Sequence, residues 1–261
     1  GSIVVGTAAV LEVTEAGTYT VTVTGENGCT ATASETITLD NTLPAAAIAN
    51  EGLELSCNIT SLTLTASGGV SYSWSNGSTV VGTAAALDVT EAGTYTVTVT
   101  GENGCTATAS ETVTLDNTLP AAAIANEGLE LSCTVTSLTL TASGGVSYSW
   151  SNGSTVVGTA AVLEVTEAGT YTVTVTGENG CTATASETVT LDNTLPAAAI
   201  ANEGLELSCT VTSLTLTASG GASYSWSNGS TVVGTAAVLE VTEAGTYTVT
   251  VTGENGCTAT A

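Results

Sequence analysis

The chain has 261 residues, of which 24 are Asp or Glu and none is Lys, Arg or His, so its formal charge is −24. Without cations it cannot neutralise phosphates, which excludes nucleic acid as a partner, and an anionic membrane surface would repel it. The lack of histidine excludes Ser-His-Asp and Cys-His catalysis and imidazole metal sites, and no apolar run reaches the ~20 residues of a membrane-spanning helix.

A block of 76 residues recurs along the chain, as the positions of Trp74, Trp150 and Trp226 show. Such self-similarity predicts an array of small domains rather than one large fold. The chain opens in mid-repeat, so we expect it to be part of a longer protein. The predicted domains are residues 1–40 (the C-terminal part of a repeat), 41–116, 117–192, and 193–261 (a repeat with an incomplete last strand).

Period-two alternation of apolar and polar residues predicts strands in every repeat. In residues 41–116 a short segment at 45–55 precedes Cys57, and Asn76-Gly77 and residues 101–104 are turn sequences. The further predicted strands are 61–66, 71–75, 79–81, 85–89, 94–100 and 105–115. About seven short strands with turns every 8–12 residues are typical of an all-β sandwich.

Prolines mark the boundaries between repeats, at positions 44, 120 and 196. The pattern leaves about two to four residues as a linker, and a linker that is short and closed by proline predicts a stiff joint. An array of identical joints predicts a linear rod.

The segment Glu-Ala-Gly-Thr-Tyr-Thr-Val at 91–97 resembles the tyrosine corner of immunoglobulin-like domains, and Trp74 matches their buried strand-C tryptophan. The resemblance implies a tandem array of immunoglobulin-like sandwiches. Val97 stands where the usual core disulfide needs a cysteine, so that disulfide is not expected. The implied core residues are Trp74, Trp150, Trp226, Tyr95, Tyr171 and Tyr247.

The whole repeat resembles the tandem immunoglobulin-like repeats of giant secreted adhesins of gliding bacteria, the SprB-type surface proteins. The residues that carry this likeness are Cys57 with the segments 62–69, 71–75, 93–100 and 103–110. The resemblance implies a secreted, cell-surface or filament location and a stalk or adhesive role.

Seven cysteines alternate between two repeat positions, at 29, 57, 105, 133, 181, 209 and 257. With no histidine and no Cys-x-x-Cys, disulfides in an oxidising extracellular setting are predicted rather than zinc, and free buried thiols are the alternative. In immunoglobulin topology the A–B and F–G turns lie at opposite ends of strands roughly 20 Å long, too far for a disulfide.

Two pairings nevertheless remain open for the cysteines, and the distance argument favours the first. An inter-domain latch would join Cys57 to Cys181 and Cys133 to Cys257, and it is favoured over an intra-domain Cys57–Cys105 pair. The latch leaves Cys29, Cys105 and Cys209 with partners outside these residues or in a neighbouring copy.

The sequence thus predicts a structural module of an extracellular filament or adhesin stalk, acting as a stiff acidic spacer and not as an enzyme. The predicted partners are neighbouring repeats and other copies of the chain. The alternative is a glycan- or calcium-binding module, with weak calcium candidates at Asp116, Asn117 and Glu127 and no other cofactor. The turns at 67–69 and 101–104 do not vary between repeats, which favours the spacer.

Overall fold

The computed structural model describes residues 3–50, 52–126, 128–202 and 206–261, and every regular element in them is a β-strand. The chain divides into two compact units, Gly1–Asp116 and Asn117–Ala261. The boundary between the units coincides with a predicted boundary between repeats. The calcium candidate Glu127 lies outside the described residues.

The first unit begins with a two-stranded antiparallel hairpin, β1 (Gly17–Thr24) and β2 (Thr30–Ile37). Its turn is closed by hydrogen bonds from the Gly25 amide to the Cys29 carbonyl at 2.8 Å and from the Gly28 amide to the Gly25 carbonyl. The inward-type valines Val21 and Val23 are 54% and 61% exposed. The reason is that residues 3–40 contain only these two strands of a sandwich.

The second repeat, residues 41–116, is a sandwich of a five-stranded and a three-stranded sheet. The sheets have the strand orders β4-β10-β9-β6-β7 and β3-β5-β8. The strands are β3 (Ala47–Ala49), β4 (Glu54–Ser56), β5 (Leu62–Ser67), β6 (Ser71–Ser75), β7 (Val80–Gly82), β8 (Ala86–Val89), β9 (Gly93–Thr100) and β10 (Thr106–Asp116).

The repeat has eight strands where about seven were predicted, because the segment 45–55 forms two strands. β3 pairs antiparallel with β5 in one sheet, and β4 pairs parallel with β10 in the other. The segment therefore crosses from the three-stranded sheet to the five-stranded sheet and forms an edge strand of each.

The core of the second repeat lies between its sheets and is made by alternation. In β9 the side chains of Tyr95, Val97 and Val99 are buried, while the threonines between them face outward. Trp74 is 0% exposed, and its indole N–H donates a hydrogen bond to the Ala84 carbonyl at 2.9 Å. Each fully buried aliphatic or aromatic side chain contributes roughly 1.5–3 kcal/mol to folding.

The second unit contains the third repeat, residues 117–192, with the same two sheets. Their strand orders are β12-β18-β17-β14-β15 and β11-β13-β16. The strands are β11 (Ala123–Asn126), β12 (Glu130–Ser132), β13 (Leu138–Ser143), β14 (Ser147–Ser151), β15 (Val156–Gly158), β16 (Val162–Val165), β17 (Gly169–Thr176) and β18 (Thr182–Asp192).

The last repeat, residues 193–261, follows in the same unit with sheet orders β22-β21-β24-β25 and β19-β20-β23. The strands are β19 (Ala199–Asn202), β20 (Leu214–Ser219), β21 (Ser223–Ser227), β22 (Val232–Gly234), β23 (Val238–Val241), β24 (Thr248–Thr252) and β25 (Thr258–Thr260). Tyr247 is only half-buried, whereas Tyr95 and Tyr171 are 7% exposed. The tyrosine loses cover because residues 193–261 contain no counterpart of the second half of β18.

The connection between the third and last repeats is longer than predicted. β18 ends at Asp192 and β19 begins at Ala199, so residues 193–198 connect the strands, where two to four residues were expected. The connection is nevertheless ordered, with the Ala198 amide donating to the Pro196 carbonyl at 2.9 Å. Proline thus sits inside the connection and starts a turn within it.

Candidate functional site: the joint between repeats

The joint between the third and last repeats is made by three segments of the second unit. They are the A–B turn of the third repeat (residues 132–135), the linker (192–196) and the F–G turn of the last repeat (253–257). A disulfide joins Cys133 of the A–B turn to Cys257 of the F–G turn, 124 residues apart in sequence, with a Cα–Cα distance of 5.0 Å. That distance lies inside the normal range for disulfides.

A serine fixes the A–B turn that carries Cys133. The Ser132 hydroxyl oxygen accepts from the Val135 amide at 3.1 Å and from the Thr134 amide at 3.3 Å. The Ser132 amide in turn donates to the Val135 carbonyl at 2.9 Å. Serine side chains commonly satisfy backbone amides in this way in turns. Cys133 is therefore held on a defined turn, and it is exposed.

Glycine is required in the F–G turn that carries Cys257. Gly256 has φ of 76°, a left-handed conformation that favours glycine. A Cβ atom at Gly256 would also collide with the side chain of Thr134 from the A–B turn. The absence of a side chain at Gly256 thus lets the two turns approach closely enough for the disulfide, and Cys257 is 1% exposed.

Asn255 links the F–G turn to the linker. Its side-chain carbonyl accepts from the Cys257 amide at 3.1 Å, and its side-chain amide donates to the Thr194 carbonyl at 2.9 Å. Asp192 holds the same linker through its carboxylate, which accepts from the Thr194 amide at 3.0 Å. The hydrogen bond from the Thr194 backbone, followed by that from the Asn255 side chain, holds the pKa of Asp192 below its ordinary value of 3.8.

The same asparagine clamp occurs in each unit. Asn179 donates to the Thr118 carbonyl at 2.9 Å, and Asn103 donates to the Thr42 carbonyl at 2.9 Å. Asp40 also has a pKa below its ordinary value, chiefly because of the Thr42 backbone hydrogen bond. The sequence analysis did not identify this asparagine as a residue of the joint. It could have been found because Gly-Glu-Asn-Gly-Cys recurs at a fixed distance from Asp-Asn-Thr-Leu-Pro in every repeat.

The other cysteines fall into two groups. Cys57 and Cys181 are disulfide-bonded, and their mutual pairing stays a prediction. Cys29, Cys105 and Cys209 are free thiols. Because Cys105 is free, the structure contains no Cys57–Cys105 bond, which is the intra-domain alternative.

The predicted calcium candidates are not gathered into a site in the part of the chain that the structure describes. Asp116 ends β10, and Asn117 follows it in the linker. No group of three or more metal-ligating side chains occurs among the described residues. Calcium binding stays a prediction.

The interior of each sandwich is apolar. Within residues 3–50, 52–126, 128–202 and 206–261 no polar or charged residue is buried, and no helix long and apolar enough to cross a membrane occurs. The predicted core residues Trp74, Trp150 and Trp226 are all 0% exposed. The polar side chains of the described residues therefore lie outside the fully buried cores.

No family model matches the chain, and no curated protein matches it. A structure of a 1.5-MDa bacterial ice-binding adhesin is similar over 85% of this chain and 96% of that chain, with 14% identity and a TM-score of 0.49. A tetra-tandem repeat from the extending region of a large adhesion protein covers 94% of this chain and 80% of that chain, with 18% identity and a TM-score of 0.27. The fibronectin(III)-like modules of Clostridium thermocellum CbhA cover 56% and 95%, with 11% identity and a TM-score of 0.30.

Proposed function

We propose that this chain is a section of an extracellular filament or cell-surface adhesin stalk, in which immunoglobulin-like repeats act as a stiff acidic spacer. The observation that carries the proposal is the Cys133–Cys257 disulfide between two consecutive repeats. The SprB-type assignment rests on the sequence resemblance and stays a prediction.

Stiffness follows from the number of connections at the joint. The third and last repeats are joined by the linker, which Asn255 and Asp192 hold by hydrogen bonds, and a second time by the disulfide. Two covalent connections at separate points of one interface restrict both bending and twisting. A repeat used as a spacer needs such joints, because flexible joints would let the array coil.

The acidic surface suits an array of near-identical domains. Thr- and Val-rich strands tend to pair at their edges, and neighbouring copies of one sequence offer identical edges. The 24 carboxylates, with no cation to pair them, make neighbouring repeats repel each other wherever no joint holds them. We propose side-by-side contacts with other copies of the chain only at surfaces that carry no carboxylates.

An extracellular location suits the disulfides, since such bonds persist in oxidising surroundings and are rare in the cytosol. In this proposal the chain carries load or spans distance, and it performs no chemistry. Its partners are the neighbouring repeats of the same chain.

Single-molecule stretching of the whole chain tests the proposal. A Cys57→Ser/Cys181→Ser variant keeps the Cys133–Cys257 bond alone, which shields the 124-residue stretch between its ends from an applied force. Reduction should then release about 410–450 Å of additional contour length, at about 3.3–3.6 Å for each of those residues.

Cys133→Ser/Cys257→Ser in the same background is the matched control and should give the longer contour without reductant. Cys209→Ser should change nothing, because Cys209 is a free thiol. A contour length that reductant leaves unchanged would contradict the latched joint and with it the proposed load-bearing role.

A further inference from the structure

Two Asn-Gly pairs of the second unit lie in turns of different surroundings. Asn152-Gly153 lies in the turn between β14 and β15 of the third repeat, and Asn255-Gly256 lies in the F–G turn of the last repeat, at the joint. Asparagine is a chemically labile residue, and a following glycine has no side chain to shield its backbone nitrogen. Both pairs are therefore candidates for spontaneous loss of the asparagine side-chain amide.

The reaction is an attack of the glycine backbone nitrogen on the side-chain carbonyl carbon of asparagine. The nitrogen gives its proton to solvent, the new C–N bond closes a five-membered succinimide ring, and ammonia leaves. Water then opens the ring to aspartate or to isoaspartate, so an amide and one water become a carboxylate and an ammonium ion. In isoaspartate the main chain runs through the side-chain carbon, which lengthens the backbone by one methylene.

The closed joint holds the Asn255 side chain away from this geometry. The side-chain amide donates to the Thr194 carbonyl at 2.9 Å, and the side-chain carbonyl accepts from the Cys257 amide at 3.1 Å. Both polar ends of the side chain are thus engaged, and the side chain must leave the linker before its carbonyl carbon can turn towards Gly256.

The joint also restrains the attacking nitrogen. The Gly256 amide donates to the Gly253 carbonyl at 3.1 Å, within the F–G turn. The Thr134 side chain of the third repeat lies where a Cβ atom of Gly256 would be, so rotation of Gly256 is blocked while the Cys133–Cys257 bond holds the two turns together. Closure of the ring at Asn255 therefore requires the joint to open.

Asn152 lies in a more open turn. It is exposed, and its side-chain carbonyl accepts from the Thr155 hydroxyl at 3.0 Å. Beyond its chain neighbours, no described atom lies within 4 Å of a Cβ atom placed at Gly153. Gly153 can therefore rotate without collision, and we expect Asn152 to react while the joint stays closed.

We propose that Asn255 is a modification site that the joint controls. Once the Cys133–Cys257 bond is broken, the F–G turn can leave the A–B turn, and Asn255 converts to aspartate or isoaspartate. A carboxylate there cannot donate to the Thr194 carbonyl, and it would repel the Asp192 carboxylate, whose ionised form the Asn255 side chain stabilises. The joint then does not close again as before, so its opening becomes permanent.

Incubation of the full chain at mildly alkaline pH, followed by peptide mass mapping, tests this proposal. In the oxidised chain we expect Asn255 to react about tenfold more slowly than Asn152, or slower still, because it reacts only from the open joint. In a Cys133→Ser/Cys257→Ser chain the rate at Asn255 should rise about threefold or more, while the rate at Asn152 stays unchanged. Cys209→Ser is the matched control and should change neither rate, because Cys209 is a free thiol.

The proposal is overturned by a smaller difference between Asn255 and Asn152 in the oxidised chain, or by a smaller rise at Asn255 in the double variant. Because the inference rests on the proposed function, the same map, run without reductant, must separate the two. A missing Cys133–Cys257 peptide would contradict the proposed function. If that peptide is present and Asn255 still reacts as fast as Asn152, only the control of Asn255 by the joint is wrong.

Discussion

A single trypsin site provides a direct test of the joint, because the chain contains no Lys or Arg and has no trypsin site of its own. Ser230 lies in the exposed turn between β21 and β22, within the stretch that the Cys133–Cys257 bond encloses. We expect the oxidised Ser230→Arg chain to stay covalently whole after cleavage, because the disulfide holds both fragments.

The size of the effect follows from the position of the cut. Reduction after cleavage should release residues 231–261, about 3 kDa of the 25.4 kDa chain. Before reduction, intact-mass measurement should show the full chain with one added water. Digestion in moderate urea opens the turn to the protease without breaking the disulfide.

Two matched sites extend the test to the rest of the chain. Ser78→Arg places the cut between Cys57 and Cys181 and outside the Cys133–Cys257 stretch. If residues 1–78 stay attached to the rest of the oxidised chain after cleavage, the predicted Cys57–Cys181 bond is established. Glu26→Arg lies outside both stretches and should release residues 1–26 without reductant. Release of residues 231–261 from the oxidised Ser230→Arg chain would refute the latched joint.

Three further predictions concern the sandwich and the linker. Trp150→Ala should cost ~3–5 kcal/mol in urea unfolding because the side chain is 0% exposed, and a cost below about 1 kcal/mol would contradict its place in the core. Tyr171→Phe should cost ~1 kcal/mol, since it removes a 2.9 Å hydrogen bond to the Glu167 carbonyl. Burial, and then the charge of Glu167, raises the pKa of Tyr171, so its contribution to stability should be complete below pH 10 and disappear as its hydroxyl ionises at higher pH. The pKa of Asp192 is lowered, so its contribution to folding stability should be complete above pH 3.8 and disappear as the pH falls through the pKa of the folded state. A titration midpoint of the Asp192 carboxyl at or above pH 3.8, measured by NMR, would contradict its Thr194 and Asn255 hydrogen bonds.

Local alternation explains why the strands could be predicted from sequence. In residues 94–100 every second side chain is apolar, and β9 buries those side chains and places the threonines on the outer face of the sheet. The asparagine-glycine turns also depend only on neighbouring residues, since glycine supplies the positive φ that they need. These features require no knowledge of the rest of the fold.

Features that depend on distant partners could not be predicted in the same way. The division of 45–55 into β3 and β4 follows from pairing with β5 and β10, which lie later in the chain. The role of Asn255 follows from contact with a linker 61 residues away.

The arrangement of the cysteines shows how an array of weak units can be made mechanically continuous. Each sandwich is held by an apolar core with no disulfide inside it, so one domain of this size has a stability of only about 4–11 kcal/mol. The Cys133–Cys257 bond lies outside that core, so an applied force would pass through the bond from the third repeat to the last. If the predicted Cys57–Cys181 bond forms, the two enclosed stretches overlap at residues 133–181. The overlap would leave no position between Cys57 and Cys257 where the backbone alone holds the chain together. Until its disulfides were reduced, the stretch from Cys57 to Cys257 in such a spacer could lengthen under load only by extension of the backbone between Cys133 and Cys181.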